Sequence, residues 1–224
     1  MKTSDLFIKE INLIKNKHMR DIVENTLNAA PQCIQTIPAS SSKKYHADYA
    51  VIVGEILDDG TIIEGGLSRH IKATVGIAYS MIESDVLKGL LENEVKEYSD
   101  IYEDIVYTAL ILHDCCKPDD TPKHGTRFDH PIVGANLFNK TAMEYVKNTE
   151  LSNDDMGYIK TTIPLIFKCI KSHMGKYTTA PYAKGIELPK PMSNLEWFVH
   201  SCDLLSSRKY IEFDFNKYYE TLKI

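Results

Sequence analysis

The chain has 224 residues, 43% of them apolar and 25% charged, which suits one soluble globular domain with a proper core. Its net charge of -5 argues against an extended duplex nucleic-acid surface, but leaves room for a nucleotide or a short oligonucleotide in a local basic pocket. The five cysteines (Cys33, Cys115, Cys116, Cys169 and Cys202) are odd in number and irregularly spaced, and no apolar signal region follows Met1. Together with the lack of any membrane-spanning apolar run, this predicts a cytoplasmic protein with reduced thiols. Cys115 and Cys116 are adjacent, so they make no CxxC motif and read as small buried residues.

Leu6, Ile8, Ile11, Leu13 and Ile14 recur at near-helical spacing, predicting a helix from about Ser4 to Ala30, which Pro31 ends. Pro38 to Lys44 is a polar loop. In Tyr49 to Glu64, β-branched residues flank Asp59-Gly60, which is hairpin chemistry. Gly65-Gly66 then opens a helix to about Glu83, and the remainder reads as helical. An apolar stripe from Ile101 to Leu112 leads into His113. His130-Pro131 starts a helix to about Val146, since Pro suits the first helical position. Pro164 lies early in the next apolar run, which Gly175 is placed to stop. Ser193 and Glu196 have capping-box spacing, so the following helix carries His200 and Asp203. The tail from Phe213 is aromatic and charged, with no clear assignment. The fold class is therefore all-α with a small β-hairpin in a single domain over 1–224: helix and loop over 1–48, hairpin over 49–64, helical core over 65–210 and tail over 211–224.

The chemistry-bearing signal is a series of His and Asp residues on successive helices: His70, His113-Asp114, His130, His173 and Asp203. Imidazole and carboxylate are suitable ligands for Mn²⁺, Fe²⁺ and Zn²⁺, and helices hold them rigidly. Adjacent helical side chains leave the axis about 100° apart, so His113 and Asp114 can approach two ions from one corner with the Asp as a bridge. An apolar helix feeding into an ionisable pair has no good packing explanation. His200 precedes Asp203 by three residues, on the same helix face, where it is expected to hold a ligand in orientation by hydrogen bonding. His18, His46 and His124 read as ordinary surface or core histidines.

The segments GGLSRHIKATV, ALILHDCCKP, HPIVGANLF, KSHMGKY and FVHSCDLLSSRK together resemble the HD superfamily of metal-dependent phosphohydrolases, over roughly Gly65 to Lys209. The resemblance implies an HD-domain helical bundle and a first metal site made by His70, His113, Asp114 and Asp203. His130 and His173 would complete a second site, bridged by Asp114. The order H…HD…H…H…D is similar to members holding two ions, here Mn, Fe, Zn or Ni, with Mg admitted as well. There is also some similarity to the HD part of 3′-to-5′ exoribonucleases. Met174 stands where those enzymes often carry a second His, and the chain has no room for their separate nucleic-acid-binding domain. The Gly-Tyr-Pro motif of cyclic-di-GMP phosphodiesterases is absent.

The implied activity is hydrolysis of a nucleotide or short-oligonucleotide phosphate ester by a metal-activated hydroxide. Asp114 and Lys117 are the expected catalytic residues. Lys117, Arg69, Lys44, Arg208 and Lys209 are the expected phosphate contacts, with the Ser40–His46 loop as a phosphate-binding flap. One alternative, a di-iron oxygenase on the HD fold, shares the ligand order; another, a non-catalytic nucleotide-binding protein, is weakened by the complete ligand set. A homo-oligomer is compatible with all three.

Overall fold

A computed structural model of the chain describes residues 2–40, 42–44, 46–82, 91, 101–118, 126–183, 185–211 and 213–221. Among them are α1 (Ile8–Ile11), α2 (Lys17–Ala29), β1 (Glu55–Ile56), β2 (Ile62–Ile63), α3 (Gly66–Ile82), α4 (Tyr102–Leu112), α5 (His130–Asn148), α6 (Asn153–Ser172), α7 (Asn194–Ser206) and α8 (Phe215–Thr221). The class is all-α with one small hairpin, as the sequence predicts. None of the described helices is long and apolar enough to cross a membrane.

The apolar stripe that ends in His113 becomes the central helix. Every residue of α4 except Glu103 is buried, and α1, α2, α3, α6 and α7 all pack against it. A helix apolar on all sides belongs in the middle of a bundle, and its end is therefore the most enclosed point available for polar side chains. Asp104 is the one acid buried along it. Its carboxylate accepts from the Lys15 and Asn16 N–H groups at 2.7 and 3.1 Å and from the Tyr158 hydroxyl at 2.6 Å.

That carboxylate explains where the sequence reading fails. The single helix expected over Ser4–Ala30 is broken into a 3-10 turn over Thr3–Phe7, the short α1, and α2. Asp104 captures the backbone N–H groups at the break. Asn16 then caps α2, its Oδ1 accepting from Met19 N–H at 3.0 Å. A tertiary partner from α4 outweighs local helical periodicity.

The hairpin is also shorter than the expected 49–64. Asp48–Val51 forms a 3-10 turn, and only Glu55↔Ile63 and Ile56↔Ile62 pair, around the Asp59-Gly60 turn. The double glycine does more than open α3. A Cβ on Gly65 would lie 2.3 Å from the Thr36 carbonyl oxygen, and one on Gly66 2.3 Å from that of Ala50. Only glycines let the α3 N-terminus slot between these two backbone segments. There its first N–H groups reach the carbonyls of Gln35, Ile52 and Ile37. Helix α3 ends at Ile82. The expected last residue, Glu83, lies outside the described residues, and so does His124.

Helix α5 starts at His130 with Pro131 in its first turn. Ser152 caps α6 and Ser193 caps α7. The Glu196 carboxylate of the predicted capping box accepts from the Ser172 hydroxyl at 2.8 Å and the Met192 N–H at 3.3 Å. It thereby ties the start of α7 to the end of α6. The aromatic tail includes α8, whose Phe215 ring meets Tyr49 edge-on at 5.3 Å.

Candidate metal centre

Four histidines converge at the buried end of α4, and hydrogen bonding fixes the face each one presents. His113 Nδ1 lies 2.7 Å from the Leu110 carbonyl, His130 Nδ1 2.8 Å from that of Arg127, and His173 Nδ1 2.8 Å from that of Ile170. A carbonyl only accepts, so each Nδ1 carries the proton and each neutral ring turns a bare Nε2 inward. His70 reaches the same state through Ser206. The Ser206 hydroxyl donates to the Asp203 carbonyl at 2.8 Å, so at 3.0 Å from His70 Nδ1 it accepts.

The Nε2 atoms meet in two pairs, His70 with His113 at 3.3 Å and His130 with His173 at 3.2 Å. Each pair has a carboxylate beside it. Asp203 Oδ1 stands 3.1 Å from His70 Nε2 and 3.7 Å from His113 Nε2. Asp114 Oδ1 stands 2.9 Å from His130 Nε2 and 3.5 Å from His173 Nε2. Two three-ligand groups result, His70/His113/Asp203 and Asp114/His130/His173, with the ligand atoms of each within 4.8 Å of one another. Asp114 also turns its Oδ2 toward the first group, 3.5 Å from His113 and 3.6 Å from His70. One carboxylate thus offers one oxygen to each group.

Divalent metal ions fit these residues. Bare nitrogens and carboxylate oxygens at 2.9–3.7 Å repel each other across a buried space unless a cation lies among them. The Nε2 separations of 3.2 and 3.3 Å match two imidazoles on one ion, since bonds of about 2.1 Å opened by about 100° place the nitrogens about 3.2 Å apart. In a metal-free centre, His173, His113 and His130 differ in their hold on a proton. Burial alone would lower the pKa of His173, but the hydrogen bond and charge of Asp114 outweigh it and raise the value. Burial pushes His113 down to about 4 and His130 down as well, against the pull of Asp114. Burial opposes ionisation of both acids, yet Lys117 and the histidines hold Asp114 well below the usual carboxylate range. The His70 and His113 contacts do the same for Asp203.

Lys117 closes one side of the centre. Its Nζ is 2.6 Å from Asp114 Oδ2. Burial would lower its pKa, but the charges of Asp114 and Asp203 raise it, and the ammonium persists. His200 touches His173 through the main chain, its Nδ1–H donating to the His173 carbonyl at 2.7 Å. Gly175 lies directly beneath that ring.

A cavity of about 490 Å³ opens onto the first ligand group, lined by His70, Asp203, Lys117 and His200. Arg208 lines it as well. Arg69 does not reach it and instead borders a separate depression beside Glu64, Lys72 and Tyr219. Adjacent helical residues point about 100° apart, so His70 facing the centre turns Arg69 away. Lys44 and Lys209 are exposed, and the Lys209 ammonium lies 5.1 Å from the Tyr210 ring centre. Neither is brought to the cavity lining. His18 is a satisfied core residue between Tyr145 and Asp155.

His46, which ends the loop expected as a phosphate-binding flap, is not an ordinary surface or core histidine. It lines the cavity, half-buried and close enough to Lys117 and Arg208 to feel their charges. Phe128, Tyr177 and Tyr182, to which the sequence drew no attention, line it too. No family model, curated protein or solved structure matches the chain.

Proposed function

We propose that the chain is a two-metal phosphohydrolase or phosphodiesterase of the HD superfamily, acting on the phosphate ester of a nucleotide or short oligonucleotide. The observation that carries this reading is Asp114, which presents one carboxylate oxygen to each three-ligand group while Lys117 holds it from the cavity side. Divalent ions held by His70, His113 and Asp203 and by Asp114, His130 and His173 would supply Lewis-acid charge and a water nucleophile at neutral pH. The protein's own share is electrostatic and positional. Lys117 brings a permanent positive charge to the cavity wall beside the first group, where phosphoryl oxygens gaining charge are stabilised. Asp203, partly open to the cavity, orients its group toward the substrate. The second group is almost fully enclosed, so substrate approaches from the first.

The test uses purified protein loaded with Mn²⁺. It should hold two ions per chain and hydrolyse at least one member of a panel of nucleoside mono- and triphosphates, cyclic nucleotides and short oligonucleotides. Asp114→Ala should lose both metal and activity. A variant that keeps the wild-type rate overturns the reading, and O₂ consumption with Fe²⁺ in place of hydrolysis would assign the centre to an oxygenase.

A further inference from the structure

Besides the metal-ligand candidates, the cavity lining holds two groups of contacting side chains. Phe128 and Tyr182 meet edge to face, ring centres 5.9 Å apart. The Arg208 guanidinium donates to the Tyr177 hydroxyl at 3.3 Å. The Arg208 and His46 backbones are joined as an antiparallel bridge, and Ala47 N–H donates to the Ser207 carbonyl at 3.2 Å. One group is thus the Phe128–Tyr182 ring pair and the other the Tyr177–Arg208–His46 set, and both line the one cavity with Lys117.

Its parts differ in chemistry. Tyr182 is 73% exposed and Tyr177 43% exposed, although large aromatic side chains normally gain by burial. Exposed rings at a cavity mouth offer π-faces, on which nucleic-acid bases stack. Arg208 and Lys117 bring positive charge to a chain that is acidic overall, and Asp203 is the only acid among the described lining residues. His46 is held in the lining beside Arg208 by the backbone bridge, where an imidazole can hydrogen-bond a phosphate oxygen. The volume of about 490 Å³ is that of a pocket for one small ligand, too small to enclose an oligonucleotide.

We propose that this cleft is a mononucleotide subsite. The base of a single terminal or free nucleotide rests against Tyr177 and Tyr182, backed by Phe128. Arg208 and His46 bind the phosphate on its way to the metal ligands. The inference rests on the reading of the centre as a site for phosphate esters, and it adds that the base, not only the phosphate, is held.

The experiment measures apparent affinities of AMP and ribose 5-phosphate on the Mn²⁺-loaded protein, as Kd, or as KM where the compound is turned over. Wild type should prefer AMP by about tenfold, the effect of one stacked base. Tyr182→Ala should remove that preference by weakening AMP alone. Arg208→Gln should weaken both compounds by a similar factor. Tyr182 is exposed and Arg208 half-buried, and circular dichroism checks that each variant is folded. Equal affinity of wild type for the two compounds overturns the proposal, as does binding of neither. So does a Tyr182→Ala loss shared equally by both. If AMP is preferred but no phosphate ester is cleaved, the hydrolase reading fails and the subsite stands. If esters are cleaved with no base preference, the subsite alone fails.

Discussion

Replacing Gly175 by Ala should damage the metal centre from outside it. The residue has a φ of +61°, a left-handed conformation that costs an L-residue about 1–2 kcal/mol. Its new Cβ would stand 2.2–2.4 Å from three atoms of the His200 ring, so the ring must move. Its hydrogen bond to the His173 carbonyl is then lost, and a buried carbonyl left without a partner costs about 1–3 kcal/mol. The total loss of stability is about 2–5 kcal/mol, the sum of strain and lost hydrogen bond. It is measured by urea unfolding of the metal-free protein, alone and as a double-mutant cycle with His200→Ala. With the ring absent there is nothing to displace, so Gly175→Ala should then cost only the strain, and the coupling should be about 1–3 kcal/mol. Metal affinity at the Asp114/His130/His173 group should fall with the single variant, because His173 loses its anchor. An additive cycle, with Gly175→Ala costing the same in both backgrounds, refutes the reasoning.

Asp203→Ala should remove one ion per chain and His130→Ala the other, whereas Asp114→Ala should weaken both, as metal analysis after dialysis would show. Ser206→Ala deprives His70 Nδ1 of its partner and should lower metal affinity about 10- to 100-fold, the usual effect of losing such a support; titration with a competing chelator measures it. Lys117→Met should reduce kcat about 10²–10³-fold, the scale for losing one preorganised charge, with metal content retained; an unchanged kcat removes Lys117 from the chemistry. The metal-free protein should lose stability as pH falls. His113 and His130 have folded pKa values below the ordinary 6.5, so the unfolded chain takes protons that the folded one refuses. Their contribution is full above pH 6.5 and is lost toward pH 4, on the order of 3 kcal/mol for His113. His173, with its raised value, has the opposite sign and offsets part of this. Below about pH 4 the depressed carboxylates of Asp114 and Asp203 add a further loss. Urea midpoints at pH 7.5 and 5, with chelator, test the sign.

What the sequence makes legible follows from where each residue sits. The His and Asp residues that converge lie in or at the ends of regular helices, and helical periodicity predicts the helices. The apolar run of α4 announces a buried helix, and a His-Asp pair at its end then needs a purpose. His46 and the aromatic wall lie in irregular segments, where no periodicity says which way a side chain points. His46 is brought to the cavity by a backbone bridge to Arg208, more than 150 residues later in the chain. Likewise, the break before α2 depends on Asp104, a residue of another helix. Arg69 shows the converse. Adjacency to a ligand in sequence argues against adjacency in space when both residues are helical.

The same hydrogen bonds serve the fold and the site. His113 and His173 follow directly on the last residues of α4 and α6 and remain right-handed helical. The last turn of a helix leaves carbonyls without backbone donors. Each of these imidazoles donates its Nδ1 proton back to the carbonyl three residues earlier, which satisfies part of that need. The bond that ends the helix also selects the tautomer with Nε2 bare and aims it inward. His130 does the equivalent at a helix start, toward the Arg127 carbonyl, in a turn pinned by the Arg127–Asp129 pair at 2.8 and 2.9 Å. Removing any of these rings should therefore cost helix-end stability even in metal-free protein. By contrast, His→Gln, whose side-chain amide can still donate to a nearby carbonyl, should keep most of the stability and lose the metal. A His113→Gln variant as unstable without metal as His113→Ala would show that the ring's capping role is absent.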